Sequence, residues 1–332
     1  MCTRVLGPTT MAAALALLLA GAPLRASTRG AGLGESLAAG RVITGATPHR
    51  IIHFTFDDGP DPRTTPRLLD EMDRLGVRGT FFFSASRFRG KERRNARAAD
   101  IARDALGRGH SIGTHSVDHV RMRKLRPAEL RAQLTEGDAL FRGVFGERTF
   151  LFRPPFGSRN RALDRMLLEQ RYTTVMWNVG LADWVRRSPE ALARTFERKL
   201  EKLEQQEGQR GGVVLLHDTH GWSVDGFVQM VEGLQRRNCE LLAGGEELYE
   251  IIDDLALFTV SAAGAPPGTD APAMQLDEDV LSARQRSLRA RESARCSEGV
   301  ASSAPTAGGR PAAQQPRAGQ RAVAEAVVDG AR

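Results

Sequence analysis

The sequence predicts an α/β fold, namely a (β/α) barrel that is incomplete or distorted and has about seven parallel strands. Between about residues 46 and 260, short apolar runs alternate with amphipathic stretches. Strands that alternate with helices pair in parallel through right-handed crossovers. Six or seven such units in roughly 215 residues fit a barrel better than an open sheet, which remains the alternative.

Each apolar run predicts a strand and each amphipathic stretch a helix. The strands are expected at 51–56, 79–83, 110–113, 150–152, 172–177 and 212–216, with a weak seventh run at 240–242. The helices are expected at 64–75, 93–108, 127–145, 161–170, 189–207 and 228–237. Because parallel strands end at one edge of the sheet, side chains that follow the runs can meet there.

Two adjacent carboxylates, Asp57 and Asp58, follow the first run, and Gly59-Pro60 then breaks the strand. Like charges side by side in a partly dry site repel unless they share a cation or a proton. The pair therefore indicates a metal site. A solvated Asp-Asp-Gly-Pro turn is the alternative for this tetrapeptide alone.

Three of the seven histidines also follow strands: His115 and His119 after the third run, and His217 after the sixth. Imidazoles four residues apart can face one point from a helical turn or a tight loop. Two histidines and one carboxylate would leave open positions on a metal, which catalysis requires.

The fourth run ends in an Arg-Pro-Pro-Phe-Gly sequence at 153–157. The prolines cannot pair in a ladder, so they impose a rigid turn that aims Arg153 inward and presents the backbone N–H of Phe156. A simple loop kink is the alternative.

The fifth and sixth runs end in Asp183-Trp184 and in Leu215-Leu216-His217-Asp218. The first offers a carboxylate and an aromatic ring of the kind on which sugars stack. The second offers an apolar wall and a titratable imidazole. Taken singly, they could be a core tryptophan and a satisfied core histidine.

Together and in this order, the five motifs resemble those of the polysaccharide deacetylases of the NodB-homology type, carbohydrate esterase family four. The resemblance covers about Ile51 to Val260. It implies that Asp57 is the general base and that a divalent metal binds Asp58, His115 and His119. The metal expected is Zn²⁺, with Co²⁺ or another divalent ion as alternatives.

The resemblance also assigns the remaining motif residues. It implies that Arg153 orients the base and that His217 is the general acid, held and tuned by Asp183. The Phe156 N–H matches the oxyanion donor. Trp184 and Leu215 match walls of the substrate pocket, with Leu215 against the acetyl methyl group.

Two positions depart from the family pattern. Many relatives have an aspartate three residues before the Asp-Trp pair, where this chain has Gly180, and often a tyrosine where it has Phe156. A backbone donor does not depend on the second change. The first puts the substrate and the rate in doubt more than the reaction type.

The expected function is metal-dependent hydrolysis of N-acetyl groups on a GlcNAc-containing polysaccharide, such as peptidoglycan or a chitooligosaccharide, with release of acetate. The bond cleaved is a non-peptide carbon–nitrogen amide bond. An O-acetyl esterase acting on acetylxylan or acetylated wall sugars is the first alternative, and an inactive sugar-binding relative is the second. An iron(II) oxygenase would need a jelly-roll strand pattern and a His-x-Asp order, and neither is found in the sequence.

Both ends of the chain differ from its middle. An apolar stretch at 11–20, followed by small residues, predicts a signal peptide over 1–26, with an uncleaved anchor or a wrongly assigned start codon as the alternatives. A linker (27–45), the catalytic domain (46–260) and a disordered Ala/Gly/Pro/Arg-rich tail (261–332) are expected to follow. A short helix over about 276–295 is the alternative for part of that tail. The protein is then exported to the periplasm, cell envelope or medium, without stable membrane insertion after signal cleavage.

The net charge of +7 includes one arginine cluster, at 87–97. The cluster could attract an anionic polymer, although a solvated basic loop is the simpler interpretation. Motifs for nucleic-acid binding are absent from the sequence, so no nucleic-acid partner is expected. A disulfide between Cys239 and Cys296 is not expected, and we expect a monomer.

Overall fold

The computed structural model describes residues 32–37, 41–258, 260–262 and 278–302. The predicted signal peptide and the tail beyond residue 302 lie outside the described residues. The strands are β1 (Arg41–Ile43), β2 (Ile51–Asp57), β3 (Thr80–Phe83), β4 (Ser111–Thr114), β5 (Leu151–Phe152), β6 (Thr173–Val175), β7 (Val179–Gly180), β8 (Gly212–His217), β9 (Glu250–Ile251) and β10 (Val260–Ala262). The helices are α1 (Thr65–Leu75), α2 (Arg93–Gly107), α3 (Pro127–Phe145), α4 (Arg161–Glu169), α5 (Pro189–Glu207), α6 (Gly221–Ala243) and α7 (Glu278–Ser302).

The ten strands of the described residues form one sheet in the order β10-β1-β6-β5-β4-β3-β2-β8-β7, and β9 pairs with β2. Every pairing is parallel except the one between β1 and β10. Within the described part of the chain, the strand order does not return on itself. The fold is therefore an incomplete (β/α) barrel, and the predicted fold class is confirmed.

The central strand β2 is buried along its whole length. Its side chains alternate between the barrel interior and the helices, as period two requires. Phe54 packs edge-on against Phe227 of α6, with ring centroids 5.0 Å apart, whereas Thr55 and Asp57 reach the buried Arg153 inside the barrel. This alternation explains why every second residue in the latter half of β2, namely His53, Thr55 and Asp57, is polar.

Local sequence signals set the bounds of α5. The Ser188 hydroxyl accepts a hydrogen bond from the Ala191 N–H, Pro189 occupies the first turn, and Gly208 ends the helix in a left-handed conformation. An N-cap serine, an early proline and a C-terminal glycine are the residues that these positions favour.

No helix in the described residues is long and apolar enough to cross a membrane.

Two expected boundaries are wrong. The weak run at 240–242 continues α6, where Leu241 is buried on the inner side of the helix, so it is not a strand. The expected linker over 27–45 contains β1, which pairs with β6, and Leu33, which is buried and accepts a hydrogen bond from Phe150 N. A three-residue strand is too short to give a periodic signal.

The C-terminal segment also differs from expectation. Residues 278–302 form α7, and a disulfide joins Cys296 of this helix to Cys239 of α6, with 5.7 Å between the two Cα atoms. Arg284 makes a bidentate contact with Glu250, and Leu288 is buried. The expectation of a disordered tail is wrong for these residues, and so is the expectation of unpaired cysteines.

Candidate active site

The carboxylates of Asp57 and Asp58 face the same point, although strand alternation would direct neighbouring residues to opposite faces. Asp57 is the last residue of β2, and Asp58 has a left-handed backbone with a φ of 76°. Such a conformation raises the free energy of a non-glycine residue, and it is found most often at functional sites. As a result, His115 Nε2 lies 3.7 Å from an oxygen of Asp57 and 3.6 Å from one of Asp58.

The histidines that follow β4 present their Nε2 atoms to the aspartates. His115 Nδ1 lies 2.8 Å from the carbonyl oxygen of Arg153, and because a carbonyl can only accept, Nδ1 carries the proton. Its Nε2 lone pair is therefore directed at Asp58. His119 has a left-handed φ of 49°, which turns its Nε2 to 3.1 Å from Asp58 Oδ1.

Asp58, His115 and His119 form a group that fits a divalent metal ion. One ligand atom from each lies within 4.8 Å of the others. The Oδ1 atom of Asp58 is buried and, among the described residues, has no hydrogen bond of good geometry despite the nearby imidazoles. Burial raises the pKa of Asp58, but these imidazoles outweigh it and bring the pKa to about 2. Two imidazoles and an ionised carboxylate are a common set of ligands for a catalytic metal.

Arg153 is completely buried beneath Asp57. Its Nη1 donates to Asp57 Oδ1 at 2.9 Å and to Thr55 Oγ1 at 2.6 Å, and its other nitrogens donate to the carbonyls of Val175 and Met176. Burial lowers the pKa of Arg153, and the Asp57 carboxylate opposes that effect. Sequence reasoning missed Thr55, although its place two residues before Asp57 on the same face of β2 was a usable signal.

Trp177 fills the space beside Gly180, the position where the sequence departs from the family pattern. A Cβ atom at Gly180 would lie 3.0 Å from the indole Nε1 of Trp177. The same indole lies 5.4 Å from the Arg153 guanidinium. Arg153 is thus held in this region by backbone carbonyls and aromatic rings.

His217, at the end of β8, is held by the fully buried Asp183. Its Nδ1 donates to Asp183 Oδ1 at 2.7 Å, and the other carboxylate oxygen accepts from His217 N and from the Ser223 hydroxyl. Burial alone lowers the pKa of His217, but the hydrogen bond to Asp183 and the nearby carboxylates raise it to about 9. The His217 Nε2 atom remains 3.9 Å from Asp58. Sequence reasoning also missed Ser223, which lies in the first turn of α6 and is marked by no pattern in the sequence.

A further buried carboxyl group, Asp218, packs behind the aspartate loop. Its Oδ2 accepts from the Thr65 hydroxyl at 2.5 Å, and any side chain at position 59 would collide with it. Burial raises the pKa of Asp218 to about 7. Gly59 is therefore required for the close approach of the loop that follows Asp58.

The three expected pocket residues lie around this group. Phe156 is 52% exposed, has a left-handed φ of 60°, and its ring lies 4.6 Å from that of His119. Trp184 is 50% exposed and meets the His217 ring edge-on at 5.4 Å. Leu215 is buried in β8, two residues before His217 and on the same side of the strand. The structure thus brings all ten sequence-predicted site residues to one edge of the sheet.

Several known proteins are similar to this chain in sequence. A family model described as polysaccharide deacetylase matches residues 44–175. The chain is 30% identical over 171 residues to a peptidoglycan-N-acetylglucosamine deacetylase of Bacillus cereus, covering 51% of this chain and 73% of that protein. It is 26% identical over 193 residues to the peptidoglycan-N-acetylmuramic acid deacetylase PdaC of Bacillus subtilis, covering 58% of this chain and only 38% of PdaC.

Among solved structures, the chitin deacetylase of the fungus Colletotrichum lindemuthianum aligns with a TM-score of 0.54 and 23% identity. The alignment covers 64% of this chain and 89% of that protein. This likeness concerns the fold, which in both proteins is built around a (β/α) barrel.

Proposed function

Because the chain belongs to the polysaccharide deacetylase family, we propose that it hydrolyses N-acetyl groups of a GlcNAc-containing polysaccharide and releases acetate. One observation carries the proposal. The Asp57 carboxylate is paired with the buried Arg153, and the His217 imidazole is paired with the buried Asp183. Both pairs lie beside the group of metal-binding side chains. A base, an acid and a Lewis-acid site are what amide hydrolysis needs.

The proposed base is Asp57, which would take a proton from the attacking water as the water oxygen bonds to the acetyl carbon. The ion pair with Arg153 fixes the direction of this carboxylate, and the bond to Thr55 fixes the arginine. A divalent metal held by Asp58, His115 and His119, for which we propose Zn²⁺, would polarise the acetyl carbonyl and lower the pKa of water.

The proposed acid is His217. As the carbon–nitrogen bond breaks, Nε2 would give its proton to the departing amine nitrogen, so the products are acetate and a free sugar amine. An amide nitrogen is a poor leaving group without that proton. Asp183 keeps the imidazole charged and oriented.

The substrate would be held by the exposed rings and the buried wall of the pocket. We propose that the backbone N–H of Phe156 donates to the developing oxyanion, and that Leu215 contacts the acetyl methyl group. The half-exposed Trp184 offers an apolar face on which a sugar ring can stack. A polymer substrate and the predicted signal peptide favour action outside the cytoplasm, by a protein that we expect to be monomeric.

Acetate release tests the proposal. Purified protein loaded with Zn²⁺ is assayed on peptidoglycan, chitooligosaccharides and acetylxylan, beside the Asp57→Asn and His217→Ala variants and a remote histidine control, His49→Gln. Release from the N-acetyl substrates that both site variants abolish and the control retains is the expected result. Release from acetylxylan alone would identify an O-acetyl esterase, and release from none would identify an inactive relative.

A leaving-group comparison tests the role of His217 separately. His217→Ala is expected to lose more activity on an N-acetyl sugar than on an activated aryl acetate, since a phenolate leaves without a proton. Equal losses on the two substrates would contradict the assignment of His217 as the acid.

A further inference from the structure

A groove of about 1030 Å³ extends from the metal-binding group along the loops that follow β2 and β3. Asp58 and His119 line one end, and four arginines line its length: Arg63, Arg87, Arg89 and Arg94. The volume is at the upper end of what small-ligand sites have, so the groove has room for an oligosaccharide.

Three of the four groove arginines are already paired with carboxylates of the same groove. The pairs are Arg63 with Asp61 at 3.8 Å, Arg89 with Asp118 at 3.0 Å, and Arg94 with Glu92 at 2.8 Å. The remaining groove carboxylate, Asp58, belongs to the metal-binding group. In the part of the chain that the structure describes, the exposed side chain of Arg87 makes no hydrogen bond or ion pair.

The backbone on both sides of Arg87 is held in place by its neighbours. The backbone N–H groups of Ala85 and Ser86 donate to the carbonyls of Ser116 and Val117, in the turn that leads to His119. The next residue, Phe88, is buried against Phe141, with ring centroids 5.5 Å apart. The backbone of Arg87 is therefore fixed at the wall of the groove that Asp58 and His119 also line, and only the side-chain torsions of Arg87 must be fixed when it binds a ligand.

We propose that this groove selects a saccharide that carries a carboxylate, and that Arg87 binds that carboxylate on a unit next to the N-acetyl sugar. The inference rests on the proposed function and names the substrate class of that site. A guanidinium recognises a carboxylate through two parallel N–H donors, which a neutral sugar hydroxyl cannot match. Ser86 and the mostly buried Asn95, which also line the groove, can bind sugar hydroxyls.

The carboxylate could belong to a lactyl ether or to a uronic acid, because both place one carboxylate on a sugar unit. The test therefore compares four tetrasaccharides: neutral N-acetylglucosamine units, alternating units with lactyl carboxylates, the same compound with methylamides in place of the carboxylates, and alternating uronic acid units. Comparison of the two acidic compounds identifies which sugar unit supplies the carboxylate. The methylamide compound is the neutral control for the lactyl compound.

The measured quantity is the ratio of kcat/KM for the acidic compound to kcat/KM for its neutral counterpart. We expect a preference for one acidic compound of about five-fold at low salt, the size of one partly exposed ion pair. The preference should shrink at high salt, where exposed charges are screened. Arg87→Gln should remove it, Arg87→Lys should retain part of it, and Arg236→Gln, an exposed arginine on the far half of α6, should leave it unchanged.

Calorimetric binding of the same compounds to an Asp57→Asn variant separates this inference from the proposed function. If no compound releases acetate, the proposed function fails, and the binding ratio alone decides whether Arg87 selects carboxylates. Equal affinity for acidic and neutral compounds, or a preference that survives Arg87→Gln, would overturn the inference.

Discussion

Two buried ion pairs hold the side chains to which we assign the two proton transfers. Asp57 pairs with Arg153, which fixes the direction of its carboxylate, and His217 pairs with Asp183, which stabilises the protonated imidazole. In each pair, the partner has no exposed surface of its own. The proposed acid can therefore stay protonated at neutral pH beside a carboxylate whose direction is fixed.

The pH dependence of turnover tests the second pair. His217 must be protonated to act, and Asp183 helps raise its pKa to about 9, so the alkaline limb of kcat/KM should lie near that pH. Asp183→Asn removes the negative charge, so that limb should move to lower pH while the acid limb stays in place. Ser223→Ala, which keeps the charge and removes one hydrogen bond to Asp183, should move it less. An alkaline limb that is the same in all three proteins would contradict the assignment.

Metal content tests the ligand group directly. His115→Ala and His119→Ala should each lower the zinc bound per chain by at least about ten-fold, the usual cost of losing a supporting or direct ligand contact. His220→Ala, a histidine of the same edge that lies outside the group, should bind zinc as the parent does. Elemental analysis of the dialysed proteins measures the effect, and a full complement of zinc in both ligand variants would rule out the site.

Thr55 is expected to hold Arg153 in place. Thr55→Val removes the acceptor for Arg153 and the donor to the Val214 carbonyl, both buried, and should lower the free energy of unfolding by about 1–3 kcal/mol. Thr55→Ser, which keeps the hydroxyl, should lose less. Urea unfolding measures the difference, and equal stability of the valine and serine variants would show that the hydroxyl bonds contribute little.

The site was predictable where its side chains follow strands. Asp57, His115 and His217 come directly after apolar runs, so parallel topology alone brings them to one edge. Ser223 and Trp222 reach Asp183 from a helix that starts four residues after β8 ends, and no spacing in the sequence marks them. Contacts between elements depend on packing, which a linear pattern does not contain.

At the scale of elements, α7 closes over the end of α6 and the loop that precedes β9. The Gln285 amide exchanges two hydrogen bonds with the backbone of Leu248, at 3.0 and 3.1 Å. Arg289 donates to the carbonyl of Gly245, and Leu288 packs into the main core. The helix therefore belongs to the folded unit, although its composition resembles that of a disordered tail.

The disulfide should make a measurable contribution to this packing. It joins residues 57 positions apart, so reduction should lower the free energy of unfolding by about 2–4 kcal/mol. Truncation after residue 262 should lower it as well, because it removes both the disulfide and the burial of Leu288. Denaturant unfolding with and without reductant measures the effect. In the Cys239→Ser variant, reductant should change nothing, and a parent protein that is also insensitive would contradict the expectation.

Elements with strong periodicity were predictable, and a short apolar run that continues a helix was not. Helix α3 matches its predicted span, 127–145, whereas residues 240–242 are apolar enough for a strand but extend a helix already formed. These residues are helical because adding a residue to an existing helix forms one more hydrogen bond without a new nucleation step. Cys239 and Cys296 lie far apart in sequence, so only the packing of α7 on α6 reveals their proximity.

At the scale of the whole molecule, the net charge of +7 should favour adsorption to anionic polymers. Sedimentation with insoluble peptidoglycan should be high at low ionic strength and should fall steeply towards 0.5 M salt, where the screening length approaches about 3–5 Å. Sedimentation with chitin, which is neutral, should change little over the same range. Adsorption to peptidoglycan that does not respond to salt would show that other contacts dominate.

The pairing of β1 with β10 has a consequence for how the protein can be attached to a surface. Arg41 lies opposite Ala262, at the start of a strand that runs parallel to β6, so both positions are at the edge of the sheet away from the site. The chain therefore enters β1 at Arg41 and leaves β10 at Ala262 at the same end of two neighbouring strands, on the side opposite the candidate site. A support attached at Arg41 or at Ala262 would therefore leave the opposite edge of the sheet, which carries the candidate site, facing the solution.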